Sequence, residues 1–148
     1  MNEHSIIRRG IDLRLRNKLL RDIMTRGVIT VSINDTVKQI AKLLSKKDIS
    51  GVAVVGDDGK AVGVISDMDI LKVIGMENWE NMTAESIMTP NIESVGPTST
   101  LMEAANIMKR KHVHRLLILS ERGVGISQKP IGILCVSDIV REAAREES

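Results

Sequence analysis

Ser66 and Asp69 stand three residues apart, just past the apolar run Gly63-Val64-Ile65. That spacing sets a hydroxyl and a carboxylate side by side at one helix N-terminus. Two readings follow. The pair can cap the helix and do nothing more. It can also meet a ligand, with the carboxylate accepting from ribose hydroxyls and the helix N-terminus facing phosphate. Near the C-terminus the pattern returns as Gly132-Ile133-Leu134-Cys135-Val136-Ser137-Asp138-Ile139. Other reactive types are sparse. His112 and His114 lie two apart on a strand-like stretch, and no cysteine or third histidine nearby completes a metal set. Cys135 is the only cysteine, so one chain can form no internal disulfide and no multi-cysteine zinc site. It reads as a small hydrophobe with no base beside it. No nucleophile–base pair stands out, so no catalytic residue is assigned and no enzyme is expected.

The elements that must position these residues come from internal repetition. Shifted by 64, Asp22-Ile23-Met24-Thr25 falls on Ser86-Ile87-Met88-Thr89, and Thr36 falls on Thr100. The stripe Val37, Ile40, Ala41, Leu44 maps onto Leu101, Ala104, Ala105, Met108, a helical pattern in both copies. Val52–Val55 maps onto Leu116–Leu119, after which a hairpin loop longer by five residues changes the shift to 69. Each copy therefore reads strand, helix, strand, turn, strand, helix. In the first copy the expected elements are a strand at Val28–Val31, a helix capped by Asn34 or Asp35, a buried strand Gly51–Val55, and a turn at Asp57-Asp58-Gly59. Gly123-Val124-Gly125 reads as hairpin loop and not as a phosphate loop, since no strand leads through it into a helix.

Composition narrows the classes. The 148 residues are 43% apolar, enough for a core, and Trp79 is the only aromatic. Base-stacking recognition of single strands is disfavoured accordingly. No signal-peptide pattern or membrane-length apolar run appears, so a cytoplasmic protein without a membrane partner is expected. The net charge of +2 is uneven: residues 1–26 carry +4 and residues 27–148 carry −2. The apolar set Ile7, Ile11, Leu15, Leu19, Ile23 marks one helical stripe over Ser5–Met24, with the basic side chains off it.

These residues resemble a tandem pair of cystathionine-beta-synthase (CBS) domains. The resemblance is carried by Asp22-Ile23-Met24-Thr25, Val28-Ile29-Thr30-Val31, Ile49-Ser50-Gly51-Val52-Ala53-Val54-Val55 and Gly63 through Leu71, and in the second copy by Ile87-Met88-Thr89-Pro90, Val113-His114-Arg115-Leu116 and Gly132 through Val140. It implies an α/β fold of α+β type, two pseudo-twofold βαββα repeats behind an N-terminal helical arm. The corresponding boundaries are 1–19 for the arm, 20–75 and 83–142 for the repeats, 76–82 for a connector and 143–148 for a tail.

The resemblance further implies a regulatory or sensor module that binds an adenosine-containing ligand and signals to a partner protein as yet unidentified. AMP, ADP or ATP is the expected ligand, with S-adenosylmethionine or NAD as further members of the class, no required cofactor and no metal. A homodimer is implied as well. The first cleft takes Ser66 and Asp69 from one repeat and Ile92, Glu93, His114 and Arg115 from the other. The second takes Val28, Ile29, Thr30, Ser50 and Gly51 with Ser137 and Asp138. Cys135 stands where the family has Ser or Thr, and Ser50-Gly51 replaces the His114-Arg115 pair, so the first cleft is expected to be the principal site. Two other functions fit the residues: a nucleic-acid-binding module using the basic arm, and a structural dimerisation module without ligand.

Overall fold

The computed structural model describes residues 15–24, 28–90, 93–120 and 129–145. A short helix α1 (Leu20–Ile23) precedes β1 (Thr30–Ser32), α2 (Val37–Lys47), β2 (Gly51–Val55), β3 (Ala61–Ser66) and α3 (Asp67–Val73). A 3-10 turn (Trp79–Asn81), α4 (Ala84–Ile87) and β4 (Thr89–Pro90) lead to the second half. That half holds β5 (Ser94–Val95), α5 (Leu101–Lys111), β6 (Arg115–Leu119), β7 (Pro130–Cys135) and α6 (Val136–Ala144). The order of elements in each half is the one the repeat pattern requires.

Local chemistry sets the helix ends. Thr36, and not Asn34 or Asp35, caps α2: its hydroxyl accepts from Gln39 N at 3.2 Å, and Gln39 Oε1 accepts from Thr36 N at 2.9 Å. Asp35 spends its carboxylate on Ser32 N instead, at 2.9 Å. Asp48 and His112 close α2 and α5 in the left-handed conformation, so His112 is a helix terminus and not part of a strand. Gly59 takes the positive φ of the expected Asp-Gly turn.

In the first sheet β1 runs parallel to β2, and β2 pairs antiparallel with β3, which pairs with β4. The second sheet orders β5, β6 and β7 in the same way. Gly63 permits β4 to close on β3: a Cβ there would lie 2.8 Å from both Thr89 O and Met88 Sδ. Each half has its own core, built on Val37, Ile40, Val52 and Ile65 in the first and on Leu101, Leu116 and Ile118 in the second. A third cluster of Ala53, Val64, Leu117 and Leu119 joins the sheets. Two marginal repeats thus share one buried interface.

The repeats also exchange segments. Leu20, Ile23 and Met24 pack in the second core, while Met82, Ala84, Ile87 and Met88 pack in the first. The backbone follows suit: Leu101 N donates to Lys18 O and Val37 N to Met82 O, both at 2.8 Å. Leu19 bridges Thr100, and Thr83 bridges Thr36. This pairing breaks the helix expected over Ser5–Met24. Residues 15–17 are helical, Leu19 is extended, and α1 begins anew at Leu20. The donors at the start of α5 and the apolar demand of the second core outweigh the helical stripe. Ile7 and Ile11 lie outside the described residues.

Candidate functional site

Among the described residues, two cavities open where the repeats meet. The first, about 350 Å³, lies between the β3–α3 turn of the first repeat and the strand entries of the second. Ser66 ends β3 and caps α3. Its backbone N donates to Asp69 Oδ2 at 2.8 Å, its hydroxyl reaches the same oxygen at 3.1 Å, and Asp69 N lies 3.3 Å from Ser66 Oγ. The capping reading is therefore true, and it leaves Asp69 Oδ1 unengaged among the described residues. Capping and ligand binding are compatible because they use different oxygens.

Across the cavity stand Glu93, His114 and Arg115, so of the residues assigned to this cleft all five that are described line it. Ile92 lies outside the described residues. Sequence reasoning missed Lys111, whose Nζ stands 3.8 Å from Glu93 Oε1, and the apolar or backbone wall of Val64, Thr89, Pro90 and Val113. Lys111 reads in the sequence as the solvated end of α5. The left-handed turn at His112 ends the helix directly after Lys111, three residues before the entry of β6 at Arg115. Together the lining offers the Asp69 carboxylate on one side, the donors Arg115, Lys111 and His114 with the Glu93 carboxylate among them on the other, and aliphatic faces between. That combination can hold a ribose, an anionic group and a flat apolar ring.

The second cavity is larger, about 660 Å³. Val28, Ile29, Ser50, Gly51, Ser137 and Asp138 line it; Thr30 does not, because it sits within β1 opposite Ala53. Ile23, Met24, Asp48, Arg141 and Glu142 also contribute and were not anticipated, while Cys135 lines it at the position where the resemblance expects Ser or Thr. The 64-residue shift could have indicated Asp48 and Ile49, which match His112 and Val113. Cys135 is half-buried on this wall and not sealed in the core. Burial pushes its thiol above the usual range, and the Arg115 charge opposes the shift without reversing it. Here the carboxylate is fully used: Asp138 Oδ2 accepts from Cys135 N at 2.7 Å, and Oδ1 meets Arg141 at 3.2 Å. The carboxylate of the second cleft is thus more fully bonded than that of the first, and the larger volume also belongs to the second.

Arg115 crosses between the repeats. Its Nη2 donates to Ser50 Oγ at 3.0 Å and stands 4.0 Å from Asp67 Oδ1. Among the described residues no group of three histidine, cysteine, aspartate or glutamate side chains is placed to hold a metal ion. No helix among them is long and apolar enough to cross a membrane.

The sequence profile of the CBS domain matches residues 20–75 and 84–145. The solved CBS domain pair of protein MJ0100, in complex with 5′-methylthioadenosine and S-adenosyl-L-methionine, is 27% identical with a TM-score of 0.73, covering 84% of this chain and 94% of that one. CBSX2, solved in complex with AMP, is also 27% identical, with a TM-score of 0.69 over 85% of this chain and 96% of that one. Among curated proteins, homoserine O-acetyltransferase of Methanococcus vannielii is 29% identical over 113 residues, 76% of this chain. The match spans only 23% of that enzyme's length.

Proposed function

The chain belongs to the CBS domain family, and from that premise we propose that it is a regulatory module whose first cavity binds an adenosine-containing ligand, with AMP, ADP or ATP the leading class. The observation that carries the reading is the unengaged Asp69 Oδ1 in a cavity whose opposite wall holds Arg115, Lys111 and His114. Asp69 accepts the ribose hydroxyls while its other oxygen keeps the helix capped. The cations receive phosphate, and Val64 and Val113 cover the base. The AMP and S-adenosylmethionine complexes of the two related structures support the ligand class. The module acts without chemistry of its own: bridging the repeats, the ligand favours one relative orientation, and a partner protein reads it.

Dimerisation belongs to the same reading. Met68, Leu71 and Ile74 expose large apolar surface on and just after α3, and Val136 and Val140 do so on α6. Such a stripe suits a second copy of the chain.

Thermal unfolding with AMP, ADP, ATP, NAD, S-adenosylmethionine and a GTP control tests the proposal. An adenosine compound raises the melting temperature as its concentration passes the dissociation constant, and GTP does not. Asp69→Ala abolishes the rise while the variant stays folded. A rise that survives Asp69→Ala removes the ligand from this cavity.

A further inference from the structure

Arg115 lines the first cavity, yet its charged head is tethered to Ser50 of the other repeat. Nη2 donates to Ser50 Oγ at 3.0 Å and passes 3.5 Å from the Ser50 carbonyl oxygen. Ser50 lines the second cavity and not the first. The tether is incomplete: Arg115 Nε is buried without a hydrogen-bond acceptor. It is pressed against Gly51, where an added Cβ would come within 3.1 Å of it. A buried donor left unpaired is costly, so the resting position of this guanidinium is one that a ligand can improve. An anion in the first cavity offers acceptors to the whole planar fork. Taking that fork means drawing Nη2 away from Ser50.

We propose that the Ser50–Arg115 bond is a latch that an anionic ligand of the first cavity must open, so that Ser50 sets the affinity of a cavity it does not line. The inference rests on the nucleotide reading above. Opening the latch returns the Ser50 hydroxyl and carbonyl to the second cavity. Linkage makes the effect reciprocal, so occupancy of either cavity changes the other's affinity.

Calorimetric titration of the full chain with AMP and with adenosine tests this in four proteins: wild type, Ser50→Ala, Arg115→Gln and the double variant. The first-cavity step is the one lost in Asp69→Ala. Ser50→Ala tightens AMP binding about threefold to tenfold and leaves adenosine within about twofold, because only the anion competes for Arg115. Arg115→Gln weakens AMP about tenfold or more and spares adenosine. In the Arg115→Gln background Ser50→Ala changes nothing, the signature of two residues acting through one bond. Unchanged or weakened AMP binding in Ser50→Ala overturns the latch, as does an effect that persists without Arg115 or AMP binding no tighter than adenosine in the wild type. In those cases the nucleotide reading stands. Failure of adenosine and AMP, and of ADP and ATP titrated in the place of AMP, to bind the wild type overturns the nucleotide reading and the latch together.

Discussion

Glu142 is the one buried carboxylate among the described residues, its side chain 7% exposed. Lys18 Nζ stands 3.0 Å from Oε1 and Arg145 3.3 Å from Oε2. Burial alone would raise its pKa, but the hydrogen bonds and charges of Lys18 and Arg145 outweigh it and hold the carboxyl below its ordinary range. A depressed native pKa gives stability that is complete above the unfolded value and lost as pH falls through the native one. Glu142→Gln is therefore expected to cost about 1–3 kcal/mol at neutral pH and to flatten the acid side of the stability profile. Urea unfolding at a series of pH values measures both. At this scale the sequence was informative where chemistry is local. Ser66 and Asp69 are three residues apart, and their capping bonds follow from that spacing. The partners of Arg115 were not legible, since Ser50 lies 65 positions away and meets it only when two sheets pack. Lys18 and Glu142 escaped notice for the same reason.

Among the elements, the exchanged segments carry the most testable consequence. Leu20 is fully buried, yet it lies in the core of the second repeat, although in sequence order it opens the first. Leu20→Ala is expected to destabilise the protein by about 2–5 kcal/mol. Hydrogen exchange would locate the damage in β5, β6 and β7 before β1, β2 and β3. The reverse order would show that the first core depends on this segment more than the contacts imply. The helices and central strands were legible because their periodicities are strong over whole elements: Val37–Lys47 and Leu101–Lys111 each bury one face. The segment around Leu19 was not, because its apolar spacing suits a helix while the backbone is claimed by the start of α5. Only the partner at Thr100 distinguishes the two outcomes.

For the molecule as a whole, the exposed apolar residues of α3 and α6 are where the proposed dimer would form. Leu71 and Val140, related by the shift of 69, are 60% and 61% exposed. Leu71→Asp combined with Val140→Asp is expected to convert a dimer into a soluble monomer in sedimentation velocity, with AMP binding at the first cavity retained. A wild-type monomer at all accessible concentrations would remove the dimer from the proposed function. The reciprocal exchange of segments has a further consequence, for a chain that has been cut. Gly75 takes a positive φ, and a side chain added there would meet nothing within 4 Å, so a break at this point falls in open space and crosses one local hydrogen bond, from Met76 N to Val73 O. The fragments 1–75 and 76–148 would each carry a piece of the other's interior. Neither should hold a native structure by itself, but mixed together they should recover it by interlocking, with a melting temperature that falls on dilution. The chain would then behave as a split protein in which each half is the folding template of the other, a property that circular dichroism of the separate and combined fragments reads directly.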